Sequence, residues 1–159
     1  MSLRLIHRPA LRGALLAGIA AVALSGCTAM RDMMPSMSKD TTNLGATLSS
    51  AAEVPPNTSN GTGAVEAKLN AETRVLRWKV TYSGLSGPVM AAHFHGPAMA
   101  GQNAGVVVPF RDVSANPIEG EATLTAEQVS DLMAGRWYAN LHTAANPGGE
   151  IRGQLLPSR

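Results

Sequence analysis

Short runs that alternate between apolar and polar side chains are the feature that most constrains how this 159-residue chain folds. The clearest run covers residues 74–82, where one face carries Leu76, Trp78, Val80 and Tyr82. A period of two places successive side chains on opposite faces of a β-strand, so one face is buried and the other is exposed. Clusters of Gly, Pro and Asn, such as residues 57–63 and 144–149, separate the runs and are typical of turns. The sequence therefore predicts an all-β domain.

The spacing of the runs predicts the architecture more closely. Strands are expected over residues 44–53, 64–69, 74–82, 89–95, 105–110, 119–124, 136–143 and 150–156. About seven to eight strands at this spacing favour an immunoglobulin-like sandwich or barrel. One short helix is expected near residues 126–134, because Thr125 and Gln128 form a capping box and Gly135 follows the last apolar position.

The alternation also fixes two local expectations. Trp78 and Trp137 are each flanked by alternating residues and should face the interior. The sequences Gly96-Pro97 and Pro147-Gly148-Gly149 should be tight connections outside the strands, because Pro lacks a donor for the sheet and Gly weakens strands.

The first 26 residues have the features of an export signal. Three arginines precede an uncharged run from Gly13 to Leu24, which is shorter than the roughly 20 residues that a membrane-spanning helix needs. Leu24-Ser25-Gly26-Cys27 follows and resembles the bacterial lipobox, in which the cysteine thiol receives a diacylglyceryl group. We therefore expect an exported lipoprotein, cleaved before Cys27 and attached to the membrane by lipid on that cysteine.

The predicted organisation has three parts. Residues 1–26 form the signal peptide, residues 27–43 the lipidated cysteine and a flexible tether, and residues 44–157 the β domain. Four methionines in the tether leave open an alternative role as soft Cu(I) ligands. Thr28 stands where an Asp would favour retention in the inner membrane, which favours the outer membrane of a Gram-negative cell envelope.

Charge and cysteine content exclude some classes of function. The formal charge of +2 includes Arg4, Arg8 and Arg12, and without them 10 basic residues face 11 acidic ones. A nearly neutral domain lacks the basic surface of a nucleic-acid-binding protein. The single cysteine allows no disulfide within the chain.

Three further segments carry a family resemblance. They are SSAAEVPPN at 49–57, AAHFHGPAMAGQNAGVVVPF at 91–110 and LTAEQVSDLMAGRWYANLHTAANPGGEIRGQL at 124–155. In combination they resemble the CHRD domain, first described in the developmental protein chordin, over about residues 42–157. The resemblance implies an all-β, immunoglobulin-like or related barrel fold. We interpret the domain as a binding or structural module of the cell envelope.

The histidines are the candidate site. His93 and His95 are two residues apart on one predicted strand and project to the same side. The alternation assigns His142, Glu150 and Arg152 to non-core faces of their strands as well. If these strands are neighbours, His93, His95 and His142 form a copper or zinc site, with Glu150 as a fourth ligand or a support. The alternative is structural, with the histidines hydrogen-bonding to carbonyls of the adjoining turns.

Catalytic motifs are missing from the sequence, so we expect no enzyme. A Ser nucleophile elbow and a phosphate-binding glycine loop are both absent, and the glycines stand at turns. A histidine pair on a β-barrel also suggests copper/zinc superoxide dismutase. That enzyme needs six histidines, an aspartate and a disulfide, whereas the domain offers three histidines and no cysteine pair.

Overall fold

The computed structural model describes residues 40–158, which form eight β-strands and one α-helix. The elements are β1 (Thr41–Ser49), β2 (Thr62–Asn70), β3 (Val75–Ser83), β4 (Val89–His95), β5 (Val106–Pro109), β6 (Ile118–Thr123), α1 (Ala126–Met133), β7 (Trp137–Thr143) and β8 (Ile151–Pro157). The strands pair antiparallel in the order β5-β4-β7-β8-β1-β2-β3-β6. This single sheet is nearly closed into a barrel, which confirms the predicted all-β class.

An aromatic cluster fills the interior where the two ends of the sheet approach each other. Trp78 on β3 and Phe94 on β4 lie far apart in the strand order, yet their ring centroids are 5.2 Å apart. Phe110, just after β5, stacks on Trp78 at 4.9 Å. Trp137 is 0% exposed and Trp78 is 6% exposed, which confirms that both indoles face the core. Burial of these rings, together with the aliphatic side chains around them, stabilises the curved sheet.

The helix forms as predicted. Thr125 accepts from the backbone N–H of Gln128, and the Gln128 side chain accepts from the backbone N–H of Thr125. Gly135 follows with a φ of 68°, a conformation that favours glycine and ends the helix. Within residues 40–158, no helix is long and apolar enough to cross a membrane.

Two expected boundaries differ from the structure. The predicted strand over 44–53 is wrong at its carboxyl end, because residues Ser50–Ala52 form a 3-10 turn. At its start, β1 already includes Thr41, which pairs with Asn70 on β2, so residues 41–43 belong to the sheet and not to a tether. The predicted signal peptide, Cys27 and the rest of the predicted tether lie outside the described residues. Both Gly96-Pro97 and residues 147–149 fall outside the strands, as expected.

The outer face of β7 is buried as well as its inner face. Loop 96–105 covers it from one side, where Asn103 accepts from Arg152. Loop 50–61 covers it from the other side, where Asn57 donates to the carbonyls of Gly149 and Glu150. The two loops are joined by a hydrogen bond from Asn103 to the carbonyl of Val54, 3.0 Å long. A second, polar layer therefore lies between the sheet and these loops.

Candidate functional site: a histidine cluster on β4 and β7

Three histidines meet on the outer face of the sheet, where β4 pairs with β7. His93 and His95 flank the core residue Phe94 on β4, and β7 contributes His142, which pairs with Ala91. One ring nitrogen of each histidine lies within 4.8 Å of the others. The structure thus brings together the three histidines that the sequence singles out.

Two backbone carbonyls orient two of the imidazole rings. The Nδ1 atom of His95 lies 3.0 Å from the carbonyl oxygen of Ala104, and the Nδ1 atom of His142 lies 3.0 Å from that of Pro147. A carbonyl oxygen only accepts, so Nδ1 carries the proton and donates in both rings. In a neutral imidazole the other nitrogen, Nε2, then presents a lone pair. Proteins commonly orient metal-binding histidines by this kind of hydrogen bond.

The two Nε2 atoms point to the side chain of Asn140. Each lies 3.0 Å from Asn140 Oδ1, and His142 Nε2 also lies 3.2 Å from Nδ1 of His93. Asn140 is 3% exposed and lies between β4 and β8, opposite His93 in the register. The sequence pattern alone does not single out Asn140 as a site residue. The one sequence feature that could have indicated Asn140 is its position between Tyr138 and His142 on the polar side of β7.

The surroundings of His93 and His142 favour the neutral form of both rings. Burial lowers the pKa of His93, and the neighbouring His142 and His95 lower it further. Burial also lowers the pKa of His142, against the opposing effect of its hydrogen bond to Pro147, and His95 adds to the lowering. Neutral imidazoles keep the lone pairs that a metal ion requires.

Tyr138 packs against His95 at one side of the histidine cluster. Its ring stacks on the His95 imidazole with centroids 4.8 Å apart and planes 2° apart. The guanidinium of Arg152 also lies over the Tyr138 ring, 3.3 Å from its centroid, and donates to Asn103. This packing fixes the His95 ring, and it holds Arg152 on the same face as the histidines, as the alternation predicted.

A buried carboxylate, Glu53, approaches Asn140 from the covering loop. Its side chain is 5% exposed, and burial raises its pKa to about 6. The charge of Arg152 opposes this increase, as do hydrogen-bonding interactions with the Val54 backbone and the Asn140 amide. Its Oε1 atom is buried without a hydrogen-bond partner among the described residues. No local sequence pattern connects Glu53 with the histidines, because it precedes His93 by 40 positions and Asn140 by 87 positions.

Glu150 lies apart from the histidines, which corrects its expected place as their fourth ligand or support. Its carboxylate accepts from Ser59 Oγ at 2.6 Å, from Ser86 Oγ at 2.6 Å and from the Ser86 backbone N–H at 2.7 Å, and also from Thr143 Oγ1. Although burial would raise the pKa of Glu150, these hydrogen bonds lower it to about 2. The strand alternation does not extend to Glu150, because it precedes β8 and turns to the side of Thr143.

Comparison with known proteins identifies the family. The family model for the CHRD domain matches residues 44–155, a segment that starts within β1 and ends within β8. No curated protein and no solved structure gives a significant match. The matched segment includes all three clustered histidines, Asn140 and Glu53. Since the match extends over well more than half of the chain, the protein belongs to the CHRD domain family.

Proposed function

We propose that this CHRD domain binds a transition-metal ion, copper or zinc, through His93, His95 and His142, and that the protein carries it at the cell envelope as a lipid-anchored binding module. The observation that carries the proposal is the orientation of the rings. With both Nδ1 protons donated to backbone carbonyls, the Nε2 lone pairs of His95 and His142 converge, and His93 Nδ1 lies beside them. Imidazole nitrogen suits both metals.

The spacing of the nitrogens supports a metal site. Around a tetrahedral ion with bonds of about 2.0–2.1 Å, neighbouring ligand atoms are about 3.3 Å apart. The 3.2 Å between His93 Nδ1 and His142 Nε2 is close to this value. The ring nitrogens of all three histidines lie within 4.8 Å of one another, so small shifts of the three side chains would complete the set.

The proposed location is supported by the sequence. Leu24-Ser25-Gly26-Cys27 follows an uncharged segment of signal-peptide length, and the chain holds no other cysteine. Lipid on Cys27 would anchor the domain to a bacterial membrane. A binding or structural module, rather than an enzyme, agrees with the absence of nucleophile motifs from the sequence.

The test is metal-dependent thermal stability of the purified full chain without an affinity tag. A ligand that binds only the folded state stabilises it by about 2.7 kcal/mol at a free concentration of 100 times Kd. For a domain of this size, Zn(II) or Cu(II) should then raise Tm by about 10 °C. The variant His93→Ala should lose this rise and keep the Tm of the metal-free protein, because the His93 ring bonds to His142 and not to a turn. Lys79→Ala, an exposed residue on β3, is the matched control and should keep the rise.

The structural alternative makes the opposite prediction. His95 and His142 each hold a loop through a backbone carbonyl, which supports a purely architectural role. In that case Tm would not respond to Zn(II) or Cu(II). The variant His142→Ala would then lower the Tm of the metal-free protein, because loop 144–149 loses its hydrogen bond.

A further inference from the structure

Asn140 has unusual neighbours for a buried amide. Its Oδ1 atom lies 3.0 Å from Nε2 of both His95 and His142, and these nitrogens present lone pairs when Nδ1 donates to the loop carbonyls. An oxygen and two nitrogens that all present lone pairs repel one another unless a proton or a cation lies between them. The three atoms and His93 Nδ1 therefore surround a point that suits a cation.

Glu53 explains why the oxygen, and not the nitrogen, of the amide faces the histidines. The Asn140 side chain is one of the groups that lower the pKa of the buried Glu53 carboxylate, so the carboxylate lies close to the amide. A carboxylate only accepts, so it attracts the Asn140 NH2 group and directs Oδ1 to the imidazoles. Glu53 packs against Gly149, where a Cβ atom would lie 2.4 Å from Glu53 Oε1, so the loop holds the carboxylate in place.

We propose that Asn140 Oδ1 is the fourth ligand of the metal ion and that Glu53 is the positioning residue that aims it, an inference that rests on the proposed function. Three of the six distances among the four donor atoms, at 3.0, 3.0 and 3.2 Å, are close to the edge of a tetrahedral site, about 3.3 Å. Three imidazoles and an amide oxygen favour Zn(II) or Cu(II) over Cu(I), which prefers sulfur. All four positions are then filled by protein, so the site holds an ion and leaves no position open for a substrate.

Cobalt(II) and azide test the fourth ligand directly. Co(II) reports its coordination through visible absorption, and azide binds where a protein ligand leaves a position open. The Co(II) spectrum of the full chain should not change with azide, whereas that of Asn140→Ala should change. If azide changes both spectra equally, the wild-type site is open and the proposal is wrong. If neither protein binds Co(II) or Zn(II), the proposed function itself fails.

Glu53 variants separate positioning from folding. Glu53→Leu removes the acceptor, so Co(II) affinity should fall about tenfold or more and azide sensitivity should appear. The same change leaves the buried Arg152 without a nearby negative charge, so the metal-free Tm should fall, and Co(II) affinity is measured at a temperature well below that Tm. Glu53→Gln keeps an acceptor oxygen and should retain Co(II) affinity within about threefold. These variants also decide the question if Asn140→Ala fails to fold. Unchanged affinity and azide insensitivity in Glu53→Leu would show that Glu53 does not position the ligand. Azide sensitivity of the wild type would show that Asn140 is not the fourth ligand.

Discussion

Glu150 shows how a single buried charge can be held by hydroxyl groups. Its side chain is 0% exposed, and its carboxylate accepts from Ser59, Ser86 and Thr143. These residues belong to the covering loop, to the turn after β3 and to β7, so the carboxylate joins three separate parts of the chain. Hydrogen bonds to an ionised acceptor are stronger than those between neutral groups. Glu150 is therefore a structural residue that fixes loop 50–61 over the sheet.

The low pKa of Glu150 predicts an acid-sensitive fold. Because the pKa is about 2 in the folded protein and near 4.5 in the unfolded chain, the unfolded state binds the proton more readily between these values. Stability should therefore be constant for this group above about pH 4.5 and fall as the pH drops toward 2, by about 3 kcal/mol. Urea unfolding at pH 7, 4 and 2.5 measures this loss.

The matched variants are Glu150→Gln and Glu119→Gln. Glu150→Gln should be less stable than the wild type at pH 7 and should lose less stability toward pH 2.5, because the titrating group is gone. Glu119 is exposed on β6, so Glu119→Gln should follow the wild-type profile. An unchanged acid profile in Glu150→Gln would contradict the assignment.

At the scale of elements, the contact between β8 and β1 depends on a close backbone approach. The two strands pair at Leu44 with Pro157 and at Ser49 with Arg152. Between these pairs, a Cβ atom on Gly153 would lie 2.2 Å from the carbonyl oxygen of Thr47. A backbone atom cannot move aside as a flexible side chain can, so this position requires glycine.

Gly153→Ala should therefore destabilise the domain by about 2 kcal/mol, in the range of overpacked cores. The barrel would have to open between β1 and β8 to relieve the collision. Gly87→Ala is the control, because a Cβ atom there meets nothing within 4 Å, and it should change stability by less than about 0.5 kcal/mol. Chemical denaturation of both variants measures the difference, and equal stabilities would show that the strands tolerate a side chain.

At the scale of the whole molecule, the nearly closed barrel carries the histidine cluster on its outer face and begins at Thr41, 14 residues after Cys27. This separation is enough for a short tether between a lipid anchor and the folded domain. Two or three acyl chains hold a protein on a membrane stably, because each buried methylene contributes about 0.8 kcal/mol. The proposed anchor therefore predicts that the protein sediments with membranes.

Cys27→Ser should prevent lipidation and leave an unprocessed precursor, since the serine hydroxyl does not replace the thiol in the lipidation step. Intact-mass measurement and membrane fractionation of the expressed full chain distinguish the two forms. Ser36→Ala lies outside the lipobox and keeps the thiol, so it serves as the control that should still carry lipid. Normal maturation of Cys27→Ser, with continued membrane association, would refute the lipoprotein proposal.

The sequence by itself determined the elements and which side chains share a strand face. Alternation is a local property of the backbone, so it located the core tryptophans, the helix with its capping box and the pairing of His93 with His95 on one side. The sequence also identified the family, because family motifs are recognised from residue types at fixed positions and require no knowledge of contacts.

Only the tertiary structure decided what surrounds the histidines. Asn140 reaches the cluster because β4 pairs with β7, and Glu53 reaches it because loop 50–61 folds over a face that alternation assigns to polar residues. Glu150 leaves the cluster because it precedes β8, where a turn, and not the strand period, sets the direction of the side chain. These placements depend on strand order and loop packing, which join residues far apart in the chain and have no local period in the sequence.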